Sequence, residues 1–585
     1  MSSLAVSRDL LLGWLDAPST ERGVRFHVEG PDWSRHTYED LAERALRAGA
    51  ALADAGVRRD EVVPLVLPSG PDFVACFFGL LAIGATPSVL PLPAALQDTT
   101  GYETQLRAIA AAVRPRFAIA SDDHRDVLLA GVRQAGQQTT VLAPAYGDAG
   151  AVPRAHGELA VLQFTSGSLG RPQGVRITVD NLAANLRMIQ RWLGITDRGG
   201  VSWLPLYHDM GLVGGLLTLV TLQTEHAMMR PQQFVRDTRG WLAEYGSGRY
   251  AQIFMPNFGF ERVVDRVTPD DLVGLDFSGV TSVVSGAERI NPAALARFAA
   301  LLQPHGFDSR ALTPAYGLAE GTLAVTGVSR HEPVRMVRTN APGRNLDDKV
   351  EVTGKAVLTT DLVSEPWAWQ VSCGRPLDGL RVDVVDEDGR PQPDGVFGEI
   401  SVRGPSITAG YADATSRDGA RLVGGWLRTG DAGFFHDGDL YVVGRLGDSV
   451  KLRGRSIFVE DVELDLRART GIAPRHLVVA GGIVDGRPTL LVVVERDLGD
   501  HLDVVVEAVR AFTGSAVRVL ILRARRGTIP LTSSGKPRRR LLWRRHLAGQ
   551  LTGEWLGDPP TPSHTDTDTD TDEQNREAGR EPVVR

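Results

Sequence analysis

The sequence predicts an α/β fold: a large N-terminal domain of mixed, mostly parallel sheets with packed helices and a β-rich subdomain, then a small α/β C-terminal domain. Three observations predict it. Short apolar runs alternate with amphipathic helical stretches up to residue 303, and such alternation builds βαβ units and a parallel sheet. After residue 370 the texture changes: LRVDVVDEDGRPQPDGVFGEISVRG and DGDLYVVGRLGDSVKLRG read as strands joined by acidic and Pro/Gly turns. A short α/β segment then runs from 458 to 548, and 585 residues exceed what one hydrophobic core supports.

Along the chain, residues 37–56 form a helix, with Leu41, Ala45, Ala48 and Leu52 on one face and Gly56 as the stop. VVPLVLP (62–68) reads as a buried strand, FVACFFGLLAIGA (73–85) as an apolar helix and SVLPLP (88–93) as a strand. Further strands are expected at 117–120, 160–164, 201–206, 251–256 and 280–286, with helices at 181–193 and 292–303 between them. The TDTDTDTD-bearing end, 557–585, is almost free of apolar residues and predicts disorder outside the chemistry.

Composition narrows the function. Hydrophobic residues at 43% and charged residues at 23% suit a globular enzyme. A net charge of −7 over this length argues against a nucleic-acid binder. Two cysteines, Cys76 and Cys373, lie at no zinc-site spacing and read as packing residues in a reducing compartment. The longest apolar run, 212–222, is too short to span a membrane, and Arg8 and Asp9 interrupt what a signal peptide would keep apolar. A cytoplasmic location is the expectation.

The chemistry lies in the motifs. Thr165-Ser166-Gly167-Ser168-Leu169-Gly170 continues through Arg171-Pro172-Gln173-Gly174 directly after the apolar strand AVLQF. Glycines allow close backbone approach, and hydroxyls with turn N–H groups supply phosphate donors. A polar surface turn is the alternative, and no GK[ST] makes it a Walker loop. The segments that follow in order are WLPLYHDMGL (203–212), MPNFGFE (255–261), SGAER (285–289), PAYGLAEGT (314–322), WLRTGD (426–431), YVVGRLGDSVKLRG (441–454) and PLTSSGKPRRR (530–540).

The loop resembles the TSGSTGxPKG loop of the adenylate-forming superfamily of acyl-CoA synthetases, luciferases and nonribosomal peptide adenylation domains, with Gln173 where many members have lysine. YHDMGL, PNFGFE and YGLAE are in the form similar to fatty acyl-AMP ligases, and the resemblance covers roughly residues 25–545. It implies two domains: a large one over 1–443, containing an insertion at 329–370, and a small mobile lid over 449–550. A hinge at 444–448 joins them, and a disordered tail follows at 551–585. Gly447 stands where the family usually has Asp or Lys; glycine tolerates dihedral change without steric cost, so rotation stays compatible with the sequence, and the pivot residue is left open.

The resemblance also implies roles. ATP and Mg²⁺ are the expected cofactors. Thr165, Ser166, Gly167, Ser168 and Gly170 would hold the β- and γ-phosphates. Gly286, Ala287 and Glu288 would approach the adenine, with Tyr316 stacked on it beside Gly317. Asp431 would hold the ribose, Arg445 would reach the ribose or phosphate, and Glu320, with the Thr165 hydroxyl, would hold the Mg²⁺. Lys536 would be the catalytic lysine and His208 would sit by the reacting carboxylate, with Asn257 and Phe258 near the acyl pocket. Asp209 is read only as an orienting neighbour of the imidazole. The implied reaction is activation of a carboxylic acid, fatty by the motif forms, to an acyl-adenylate, then transfer to the phosphopantetheine thiol of an acyl carrier protein in a lipid or natural-product pathway. Nucleic acid and stable membrane insertion are not expected. An acyl- or aryl-CoA ligase, an enzyme passing an unusual acid to an amine, and an inactive nucleotide sensor are the alternatives.

Overall fold

The computed structural model describes residues 9–93, 99–148, 157–165, 172–339, 345–361, 363–413, 420–452, 455–514, 517–531 and 536–556. Among these, the largest sheet has nine strands. Their order is Arg375–Pro376, Ala324–Gly327, Leu312–Gly317, Ser282–Ser285, Gln252–Met255, Arg198–Ser202, Glu225–Met228, Gly23–His27 and Trp33–Thr37. The six from Leu312–Gly317 to Gly23–His27 run parallel, and antiparallel strands flank them. A second, four-stranded parallel sheet orders Thr86–Val89, Val62–Val66, Phe117–Ala120 and Thr140–Leu142.

Local chemistry accounts for the elements. The helix Tyr38–Asp54 starts on a capping box: Thr37 Oγ1 accepts from Asp40 N at 3.0 Å, and Asp40 Oδ2 accepts from Thr37 N at 2.8 Å. The helices Pro71–Ala82, Val179–Leu193 and Pro292–Leu302 lie where periodicity predicts them.

Two strands are displaced from their expected positions. The one expected at 201–206 is Arg198–Ser202. Gly199 and Gly200 hide its start from a propensity reading: a Cβ at either would lie 2.2 or 2.3 Å from the carbonyl oxygen of Glu225 or Gln252. Pro205, with no N–H to give a ladder, keeps 203–206 out of it. The strand expected at 88–93 is Thr86–Val89, and Pro91 and Pro93 follow its end. The apolar run near 212 is a π-helix, Met210–Leu217, a winding concentrated at functional sites.

The β-rich part is antiparallel: Arg381–Val385, Gly398–Arg403, Trp426–His436 and Arg421–Val423 form one sheet, and Asp439–Arg445 pairs with Trp426–His436. Val352–Val357, Arg335–Thr339 and Trp369–Val371 form a separate three-stranded sheet.

Beyond Ser449–Leu452 and Arg455–Phe458, the strands Leu477–Val484, Arg487–Val494, Arg518–Ala524 and Gly553–Trp555 form a sheet packed with the helices Val459–Thr470, Leu502–Thr513 and Arg539–Leu547. This part has apolar clusters of its own on both faces of that sheet. Disorder expected from 551 is corrected here: Gly553–Trp555 closes the small sheet, Leu551 is buried, and Trp555 stacks obliquely on His546 at 5.7 Å. These apolar residues give the segment a core to join.

Candidate active site

Four neighbouring parallel strands end at one edge of the large sheet. Past Arg198–Ser202 comes His208. Past Gln252–Met255 comes Asn257, and past Ser282–Ser285 come Gly286, Ala287 and Glu288. Leu312–Gly317 carries Tyr316 and Gly317, with Glu320 just beyond. Ligands of open α/β sheets bind outside the carboxyl ends of the strands.

Asp431 and Arg445 face each other because the register of their antiparallel strands pairs them. Arg445 Nε donates to Asp431 Oδ1 at 3.1 Å, and the Tyr316 hydroxyl donates to Asp431 Oδ2 at 2.7 Å. The Asp431 carboxylate raises the Arg445 pKa further and keeps it charged. Each carboxylate oxygen has a second lone pair, so the group can still accept from two hydroxyls. Gly317 fits because a Cβ there would lie 1.9 Å from the Leu323 carbonyl oxygen.

Glu320 sits in a tight turn and is 6% exposed. The Tyr411 hydroxyl donates to its Oε1 at 2.7 Å. Burial raises its pKa, against the Tyr411 hydrogen bond, to a net value above the usual glutamate range. Thr322, two residues on, has φ +73°, a strained setting for a β-branched residue, and its hydroxyl donates to Ser406 O at 2.6 Å.

Ala287 has φ +71°, and its carbonyl accepts a hydrogen bond from Lys536 Nζ. Gly286 lies close under the next strand: a Cβ there would be 3.0 Å from Ala315 O. Glu288 Oε1 accepts from Asn257 N at 2.8 Å. Burial lowers the Lys536 pKa below the ordinary lysine value, with Glu288 and Asp209 opposing, Arg445 reinforcing and Asp431 opposing. His208 Nδ1 lies 2.6 Å from Asp209 Oδ1. Burial would raise the Asp209 pKa, but the contact with His208 and the charge of Lys536 hold it below the usual aspartate range. Charges at positions 209, 288, 431 and 445 therefore all act on Lys536.

Thr165 ends the strand Leu159–Thr165 and pairs with Gln173. Ser166, Gly167, Ser168 and Gly170 lie outside the described residues. Phe258 is 39% exposed, edge-on to Trp203 at 6.1 Å.

Comparison with known proteins decides the family. Residues 17–412 match the family model described as AMP-binding enzyme. The chain belongs to the AMP-binding enzyme family. It is an adenylate-forming ligase. This ligase is 31% identical over 556 residues to the medium-chain-fatty-acid–[acyl-carrier-protein] ligase JamA of Moorena producens, covering 88% of this chain and 90% of that one. It is 30% identical over 550 residues to the 4-hydroxyphenylalkanoate adenylyltransferase of Mycobacterium marinum, covering 86% and 84%. A solved structure from work on fatty acyl-adenylate ligases from E. coli and L. pneumophila superposes with a TM-score of 0.80 at 28% identity, covering 93% of this ligase and 97% of that chain. The adenylate-forming fold expected from the motifs is the one observed.

Sequence reasoning missed three residues of this ligase's cleft. The sequence reads Asp209 as an orienting neighbour only, although the Lys536 charge also acts on its carboxylate. Tyr411 carries no local signal. It reaches Glu320 because 408–412 docks on the strand Gln173–Thr178, through Ala412 N to Gly174 O at 2.8 Å and Arg176 N to Gly410 O at 2.9 Å. Arg289 reads as part of SGAER, yet its guanidinium leaves the cleft for the small domain, where it pairs with Asp461.

Proposed function

We propose that this ligase activates a fatty acid as its acyl-adenylate and passes the acyl group to the phosphopantetheine thiol of an acyl carrier protein. The observation that carries the reading is Lys536, held on Ala287 O beside Glu288 and acted on by the charges of Glu288, Asp209, Arg445 and Asp431. Adenylation needs a cation at this place. The acid's carboxylate attacks the α-phosphorus of ATP in line, pyrophosphate leaves, and negative charge builds on the oxygens around phosphorus. Positioning and charge neutralisation are the whole catalytic task. Lys536 bridges the carboxylate and the α-phosphate. Tyr316 and the 286–288 backbone hold the adenine, and Asp431 with Arg445 holds the ribose. Thr165 and the loop after it hold the outer phosphates, and His208, set by Asp209, faces the entering carboxylate.

The donor set suits Mg²⁺. Among the described residues no cluster of three or more His, Cys, Asp or Glu could cage a metal. Glu320 offers one oxygen-donor carboxylate, and Mg²⁺ typically takes one or two carboxylates with phosphate oxygens and water. Glu320, with the Thr165 hydroxyl, would hold the ion, which neutralises phosphate charge when bound.

In this reading residues 444–448 are the hinge and 449–550 the lid that turns after adenylation so that the thiol can enter. Where the family usually has Asp or Lys, a Cβ at Gly447 would lie 1.9 Å from the Arg540 guanidinium, and that same guanidinium donates to Asp448 at 3.2 Å. The carrier-protein acceptor is supported by the similarity to JamA and by the sheet within 329–370, whose turn at Trp367 meets the small domain. Two buried free cysteines, whose thiols burial pushes up to about 12, suit a cytoplasmic enzyme, and among the described residues no helix is long and apolar enough to cross a membrane.

Pyrophosphate release measured across fatty acids of increasing length and 4-hydroxyphenylalkanoic acids, with CoA or a holo carrier protein as acceptor, tests the reading. Turnover should be largest with a fatty acid and a carrier protein. Equal transfer to CoA makes the enzyme an acyl-CoA ligase, and no AMP formed with any acid ends the proposal.

A further inference from the structure

Three consecutive residues of the loop at 287–289 reach three different places. Ala287 O takes the Lys536 ammonium, Glu288 takes the Asn257 backbone N–H, and Arg289 turns away from the nucleotide side. The Arg289 side chain is only 8% exposed. Its Nη2 donates to Trp367 O at 2.8 Å and lies 3.4 Å from Trp369 O, and Nη1 meets the Asp461 carboxylate. Asp461, 11% exposed at its side chain, belongs to the helix Val459–Thr470 of the small domain. The Trp367 ring packs edge-on against Phe512 of the helix Leu502–Thr513 at 5.1 Å. One guanidinium therefore ties the large domain, the 329–370 segment and the small domain together, on the loop whose neighbouring carbonyl receives Lys536.

A planar guanidinium suits such a node because it bonds carbonyls and a carboxylate in fixed directions at once. Breaking a buried ion pair from one side leaves an uncompensated charge, so the pair holds geometry even where it adds little net stability. We propose that Arg289 is a positioning residue: through Asp461 it holds the lid in the orientation that presents Lys536 to the nucleotide, and loss of the pair shifts the enzyme from acyl-adenylate formation toward the thiol-transfer orientation. This rests on the reading that one lid serves both half-reactions.

Asp461 is the cleaner probe, because the loop stays anchored on the Trp367 and Trp369 carbonyls when Asp461 is changed. In full-length Asp461→Ala, single-turnover acyl-adenylate formation should fall about ten- to a hundred-fold, as for a reacting group displaced by a remote change. The KM for ATP should stay within about two-fold, since the ATP-holding groups are untouched. Consumption of preformed acyl-adenylate by a holo carrier protein should be unchanged or faster. Asp461→Asn, which keeps the shape and removes the charge, should move the same two rates in the same directions, and it carries the test if the alanine variant does not fold. Spin labels on the lid and the large domain, with a non-hydrolysable ATP analogue bound, should give one distance in the parent and a second, longer population in both variants. Equal loss of both half-reactions, or an unchanged distance distribution, overturns the proposal. If the parent forms no acyl-adenylate with any acid, the proposed function falls, while the label distances still decide the role of Arg289.

Discussion

The two walls of the cleft are built differently. The large-domain wall is assembled from strand ends and paired strands whose polar groups already bond one another: Tyr316 with Asp431, Asp431 with Arg445, Glu320 with Tyr411. Tyr316 itself belongs to the main apolar cluster. The small-domain wall contributes a single named site residue, Lys536, from a part with its own apolar clusters. It meets the large domain through Lys536 on Ala287 O, Arg289 with Asp461, and Trp367 against Phe512. The difference teaches a division of labour. On the large-domain wall the polar groups are fixed by one another and by strand register, which sets Asp431 opposite Arg445. Under the proposed function, the cation assigned to the transition state arrives on a separately packed unit that meets the large domain through these few contacts.

The largest effect should come from the small-domain wall. Lys536→Ala is expected to lower acyl-adenylate formation about 10²- to 10³-fold, as for loss of one transition-state donor, with little change in the KM for ATP. Pyrophosphate release measures it, and an unimpaired variant would break the contrast between the walls. Asp431→Ala, on the rigid wall, should act the opposite way. It strips Arg445 and the Tyr316 hydroxyl of their shared partner, so the KM for ATP should rise about ten- to a hundred-fold, the worth of charge-assisted hydrogen bonds, with a smaller change in kcat.

A pH profile sharpens the comparison, because each wall supplies one limb. Lys536 has its pKa lowered from 10.5 by burial, so its charged form is lost at a lower pH than for free lysine, and adenylation should fall on the alkaline side before that value. Glu320 has its pKa raised from 4.5 by burial, so its carboxylate is lost as pH falls through a value above that. The bell should be narrower than free side chains would give, and Lys536→Arg should move the alkaline limb alone.

The smallest effect concerns the support beneath the 286–289 loop. Burial, then the neighbouring Glu288 charge, pushes Glu261 up to about 7 from 4.5, and Asn291 Nδ2 donates to it at 3.2 Å. Between those values the folded state holds a proton that the unfolded chain has lost, so stability falls as pH rises through that window. Glu261→Gln should flatten this slope in thermal denaturation followed across the window, and a slope identical to the parent's would remove Glu261 from the account.

Much of the fold was legible because it is written locally. Periodicity located the helices Tyr38–Asp54, Val179–Leu193 and Pro292–Leu302 and the strand Phe117–Ala120. It misplaced Arg198–Ser202, whose glycines carry no strand signal and owe their place to close backbone neighbours. The motifs named His208, Tyr316, Glu320, Asp431, Arg445 and Lys536, because each lies in a short run of recognisable chemistry. Tyr411, the charge of Lys536 acting on Asp209, and Arg289's destination were not legible, since each depends on a segment far away in the chain.

The amino-acid order alone determined the α/β class, the succession of nucleotide-binding segments and the residue types a phosphate chemistry needs, because hydrophobic period and turn chemistry act over a few residues. Tertiary structure alone decided which of those groups meet. Tyr316 and Asp431 are 115 positions apart, Glu320 and Tyr411 91, and Ala287 and Lys536 249. Such contacts follow from sheet order, strand register and the docking of one domain on another, which no short stretch of sequence specifies by itself.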